Sequence, residues 1–113
     1  MKHFGFTETQ RFTKRVTDLL TDDEYAKLQD DLCNEPEAGA IIKGGGGIRK
    51  IRLAFGGRGK RGGARVIYYW AVSREKIIML DIYAKNEKED LTQSELKNLG
   101  NLLRRLEDEQ KRF

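Results

Sequence analysis

The chain has 113 residues, 38% hydrophobic and 35% charged, with a formal net charge of +4. That length supports one domain, residues 1–113, around one modest core. The single cysteine, Cys33, has no partner for an internal disulfide, and the longest aliphatic run, residues 77–80, is far too short to span a bilayer. The opening MKHFGFTETQ lacks the apolar run and cleavage pattern of an export signal, so a cytoplasmic protein without membrane contact is expected. Charge is strongly polarised along the chain. Residues 1–37 carry nine acids and five bases, residues 66–113 nine of each, and residues 38–65 eight bases with no acid. An acid-free basic block of this kind is a capture surface for a polyanion.

In chain order, a short strand is expected over residues 3–6 and a helix over 9–20, with Phe12, Val16 and Leu19 on one face. Residues 21–24 (TDDE) have the form of a capping box, with Leu20 and Tyr25 as its hydrophobic staple. The second helix then runs until Pro36 interrupts the ladder, and Cys33 falls among its apolar positions as an inert thiol. Four glycines, 44–47, lead into a strand over 48–55 in which Ile51, Leu53 and Phe55 alternate with Lys50, Arg52 and Ala54. The loop GGRGKRGG, 56–63, separates it from a strand over 65–72, and a turn at 73–75 precedes a third over 76–83. A second capping box, residues 92–95 (TQSE), announces a final helix with Leu96, Leu99, Leu103 and Leu106 as its stripe. The class is α+β in the order β-α-α-β-β-β-α. An antiparallel or mixed sheet is expected, with two N-terminal helices and one C-terminal helix against one of its faces.

Chemistry concentrates on the strand 48–55. Side chains two apart point the same way, so Lys50 and Arg52 share a face about 7 Å apart. Antiparallel return of the chain brings Arg65 beside them, and three cations held by a rigid strand form a phosphate platform. The glycines do not make a nucleotide-binding phosphate loop, because Gly59-Lys60 is followed by Arg61 and Ala54 stands where the first glycine belongs. They let Arg58, Lys60 and Arg61 reach around a bulky backbone, and Lys43 and Arg49 extend the same basic surface. No metal or other cofactor is expected: the basic block has no carboxylate, and His3 is the only histidine. An RNA strand supplies its own nucleophile, the 2′-hydroxyl. Arg52 and Arg65 can then neutralise charge developing on the phosphate, and Lys50 can act as base if its cationic neighbours disfavour its protonated form. Near the end of the third long strand, Asp81, Tyr83 and Lys85 share a parity. Tyr83 is placed to stack on a base or donate a proton, and Lys85 to assist at the leaving oxygen. Of residues 68–70 (YYW), Tyr68 and Trp70 face opposite to Tyr69, and Trp70 is expected in the core.

Residues 47–52 (GIRKIR), the glycine-rich Lys-Arg loop, residues 63–69 (GARVIYY) and 82–87 (IYAKNE) together resemble the RelE/HigB toxins of bacterial type II toxin–antitoxin modules, nearest the HigB-like branch. The resemblance covers nearly the whole chain. It implies a ribosome-dependent endoribonuclease that enters the 30S decoding site and cuts translated mRNA without metal. It also implies a neutralising antitoxin, commonly a helix-turn-helix protein, and contact with operator DNA only through the toxin–antitoxin complex. On matching positions Lys50, Arg52 and Arg65 are the paired basic residues of the sheet, and Lys85, with Asn86 and Lys88, falls in the cluster after the last strand. The family's tyrosine in or near the last helix is missing here, and Tyr83 is the nearest substitute. The residues leave open whether Lys50, Lys85 or a ribosomal group is the general base. They also leave open a non-catalytic RNA- or DNA-binding module on the same face, and a structural partner protein that uses the leucine stripe.

Overall fold

The structure, a computed structural model, describes residues 5–56, 63–72, 75–88 and 90–111, the last three of these by backbone alone. His3 and the loop cations Arg58, Lys60 and Arg61 lie outside the described residues. Among the described residues the strands are β1 (Gly5–Glu8), β2 (Ala40–Ile41), β3 (Arg49–Arg52), β4 (Ala64–Ala71) and β5 (Lys76–Ala84). The helices are α1 (Gln10–Leu19), α2 (Asp22–Asn34) and α3 (Gln93–Lys111). The strands form one sheet in the order β1-β5-β4-β3-β2, with β1 parallel to β5 and every other pairing antiparallel. The expected three-strand meander is therefore present, flanked by β1 on one edge and by β2, a two-residue strand the sequence does not announce, on the other.

Local sequence explains where the helices begin. The Thr9 hydroxyl accepts from the Phe12 amide and donates to the Leu80 carbonyl at 2.8 Å, which caps α1 and ties it to β5. At α2 the capping box is complete, with Glu24 accepting from the Thr21 amide and the Thr21 hydroxyl accepting from the Glu24 amide. Thr92 and Glu95 repeat it at α3. Each closes orphan amides at a helix start.

The expectation of helices on one face is corrected. One core joins α1 and α2 to Leu53, Ala64, Val66, Tyr68, Ile77 and Ile82, while a second joins Leu96, Leu99 and Leu103 of α3 to Ile48, Ile67, Ile78 and Tyr83. The sheet is sandwiched, and its central strands are apolar on both sides because both sides are covered. Cys33 and Trp70 pack, partly buried, against the first core. Tyr68 is fully buried there, and its hydroxyl donates to the Pro36 carbonyl and accepts from the Gly39 amide, each at 2.8 Å. A Cβ at Gly39 would lie 2.7 Å from the Tyr68 ring, so only glycine lets the backbone approach this closely.

One irregularity in β5 matters for function. Ile67 pairs with Asp81 but Tyr68 pairs with Met79, so the ladder skips Leu80 in a β-bulge. Ile78 and Leu80 face α3; unbroken alternation would put Ile82 there too and turn Tyr83 away. The bulge resets the parity, so that Ile82 joins the first core and Tyr83 faces α3.

Candidate nucleic-acid interface

The face of β3, β4 and β5 that carries α3 also carries the cations. Arg52 pairs in register with Arg65, and Arg65 in turn with Tyr83, so these three form a row across adjacent strands. Directly opposed residues have Cβ atoms about 4.5–5.5 Å apart. Lys50, opposite Ile67, stands two residues from Arg52 on the same face. Ile51 and Leu53 anchor the other side of this segment in the α1–α2 core, which fixes where Lys50 and Arg52 point. Arg65 is only 4% exposed. Its guanidinium donates to the Ala64 carbonyl at 3.3 Å.

The sequence reading missed a carboxylate here. Asp90, in the segment between β5 and α3, forms an ion pair with Lys50. The Lys50 side chain is 14% exposed and that of Asp90 69%. The Lys50 hydrogen bond and charge, with Arg52 and Arg65 adding to them, hold the Asp90 carboxyl below the usual carboxylate range. In the free protein, therefore, an internal anion occupies part of the basic platform. Asp90→Asn is expected to tighten binding of a polyanion such as heparin a few-fold, the scale of an exposed pair, in a direct binding titration at fixed salt. The sign with pH follows from the lowered acidity. The pair persists at neutral and mildly acidic pH and is lost only as pH falls through the lowered carboxyl pKa, so the advantage of the variant should vanish only in strong acid.

Tyr83 is 1% exposed, with the Lys88 ammonium 5.0 Å from its ring centre. Burial first, then the negative charges of Asp90 and Asp81, push its hydroxyl up to about 12, with Arg65 opposing. It keeps its proton throughout the neutral range. Its ring face is covered by Lys88, which itself pairs with Glu95 of α3. Lys85 and Asn86 are exposed in the turn after β5. That turn is held by a bracket: Arg15 of α1 donates to the Ile82 carbonyl at 2.8 Å and to Glu87 at 2.6 Å, and Glu87 accepts from the Ala84 amide. Arg15→Ala should loosen the turn that carries Lys85 and Lys88, with little loss of melting temperature; hydrogen exchange of the turn amides beside thermal melts checks this.

Other expected residues lie elsewhere. Arg49 pairs with Tyr68, faces the α1–α2 side, and donates to the Gly39 and Glu37 carbonyls at 2.8 and 3.3 Å. Lys43 is exposed beside the glycine turn. Asp81 is buried, accepting from Arg11 at 3.0 Å and from the Ile82 amide. Among the described residues no group of three or more His, Cys, Asp or Glu side chains is placed to hold a metal ion, and no helix is long and apolar enough to cross a membrane.

Solved structures share this fold. An arginine double mutant of the E. coli toxin RelE in its free state is 18% identical, with a TM-score of 0.56 over 79% of this chain and 90% of that one. The toxin–antitoxin complex RelBE2 from Mycobacterium tuberculosis gives 17%, 0.53, 74% and 93%, and the intact E. coli RelBE complex 16%, 0.55, 72% and 95%. At these identities the likeness is one of fold. The sequence match goes further: the model of the RelE toxin of the RelE/RelB toxin–antitoxin system covers residues 6–112. A match over that much of the sequence makes the chain a member of the RelE toxin family.

Proposed function

We propose that this chain is a ribosome-dependent endoribonuclease that cleaves translated mRNA in the 30S decoding site and is neutralised by a cognate antitoxin. The observation that carries the reading is the row Arg52, Arg65, Tyr83 across three adjacent strands, with Lys50 beside it. Two guanidiniums and an ammonium suit a phosphodiester whose charge grows in the transition state. The phenol, holding its proton, suits the leaving oxygen.

The chemistry is attack of the 2′-oxygen on the adjacent phosphorus. A bond forms to that oxygen, the bond to the 5′-oxygen breaks, and the products are a 2′,3′-cyclic phosphate and a 5′-hydroxyl. Tyr83 gives its proton to the departing 5′-oxygen. Lys50 stays an ammonium, paired first with Asp90 and then with the phosphate, so the 2′-hydroxyl proton goes to Lys85 in its neutral form or to a group of the ribosome. The incoming phosphate competes with Asp90 for Lys50. The antitoxin, in this reading, is a helix-turn-helix protein, and operator DNA is bound only by the complex. RelBE complexes in the same fold family support the partner.

A message with one 2′-deoxy residue at the cleaved position separates this chemistry from a water-driven cut. The proposal expects that message to survive intact and an unmodified one to be cut to a cyclic-phosphate end and a 5′-hydroxyl. Cutting of the deoxy message would sink the 2′-hydroxyl route.

A further inference from the structure

Glycine is, proline aside, the least favourable residue in a helix interior, yet Gly100 sits well inside α3. Packing does not require it: a Cβ built at Gly100 meets no heavy atom within 4 Å. What a side chain there would enter is a cavity of about 250 Å³ between α3 and the glycine turn before β3. On the helix side its walls include Gln93, Lys97 and Arg104, the last two flanking Gly100 on one face of α3. On the other side are Gly44 and Gly46, with φ of +80° and +65° and open space where a Cβ would stand. No acid lines it.

This cavity lies against the same face of the sheet as the basic platform. A Cβ at Gly45 would touch Ile48 at 3.3 Å, and Ile48 lies two residues before Lys50, on the same face of the sheet. At its other wall Gln93 follows Asp90, the partner of Lys50, by three residues. Its volume is just under the roughly 300–1,000 Å³ of small-molecule pockets, room for one nucleotide and not for a stack of them. A floor of glycine backbone admits a flat ring at close range, and two cations suit the phosphate beside it. We infer that this cavity is a nucleotide subsite, taking a residue of the RNA strand that flanks the phosphate held by Lys50, Arg52 and Arg65. The inference deepens the nuclease reading and rests on it for the path of the strand.

The test is nuclear magnetic resonance of ¹⁵N-labelled protein titrated to millimolar concentration with a dinucleotide made uncleavable by a 2′-deoxy first residue, with inorganic phosphate in parallel. The expected result is shifted amides at 44–46 and 97–104 as well as at 50–52 and 65. A Lys97→Ala/Arg104→Ala double variant should weaken binding about tenfold. Gly100→Leu should erase the shifts at 44–46 while melting at or above the temperature of the parent protein. Shifts at 50–52 and 65 without any at 44–46 and 97–104 would overturn the subsite and leave the nuclease reading standing. Shifts at 44–46 and 97–104 alone would keep the nucleotide site and count against the platform. Phosphate reproducing the dinucleotide's shifts at equal concentration would overturn the assignment to a nucleotide, and so would the absence of shifts everywhere.

Discussion

Arg65→Ala is expected to lower cleavage about 10²–10³-fold, the loss that follows removal of one preorganised donor to a developing oxyanion, about 2.7–4 kcal/mol. Arg65 occupies the centre of the row, between Arg52 on β3 and Tyr83 on β5. Because it is buried, its guanidinium is positioned by the sheet before substrate arrives, and no reorganisation is needed at the moment of reaction. Arg65→Lys keeps the charge but loses the planar fork, so it should recover only part of the rate. Single-turnover rates for the three proteins, with melting temperatures beside them, separate a lost catalytic contact from a damaged fold. A rate within threefold of the parent in Arg65→Ala would remove Arg65 from the mechanism.

Gly63→Ala should be the most damaging single methyl in the site's support. Gly63 has φ of +67°, where an L-residue is strained by roughly 1–2 kcal/mol. The added Cβ would also lie 2.0 Å from the Leu53 carbonyl oxygen and 2.8 Å from that of Phe55. Both are backbone atoms of residues tied across the hairpin: the Leu53 amide donates to the Ala64 carbonyl, and the Phe55 carbonyl accepts from the Ala64 amide. Relief therefore requires moving β3 against β4, at a further cost of about 1–3 kcal/mol. A total of roughly 2–5 kcal/mol is a large share of the 5–15 kcal/mol that holds a small domain folded. The Gly63 carbonyl also accepts from the Lys85 amide at 3.1 Å, so the loss should reach the turn that carries Lys85. Urea unfolding measures it; a change under 1 kcal/mol would mean the hairpin yields more freely than its hydrogen bonds imply.

Much of this site can be read from the sequence because β-strand alternation is a strict rule. Lys50 and Arg52 share a face for that reason, and antiparallel return of the chain brings Arg65 near them, in register with Arg52. The two capping boxes are equally local, each contained within four residues. What escaped was non-local. A segment-by-segment charge count makes residues 38–65 free of acid, but Asp90 enters the platform from another segment of the chain. The same count groups Arg49 with Lys50, although alternation itself sends neighbours to opposite faces and Arg49 serves carbonyls near Gly39. The leucine stripe of α3 says that one side is buried and not against which face. The signal for two covered faces was the unbroken apolar character of residues 66–71 and 77–80, which an open face would have interrupted with polar residues. The bulge at Leu80 left no mark in the sequence, yet it decides that Tyr83 meets Arg65.

The most direct test of the central claim is to hold a defined mRNA on programmed ribosomes and add the parent protein or Arg65→Ala, with the same RNA free in solution as a comparison. The account predicts cuts in the decoding site by the parent protein, few or none on free RNA, and loss of cutting in the variant. An intact message on ribosomes that demonstrably bind the protein would contradict it and leave an RNA-binding module in place of a nuclease.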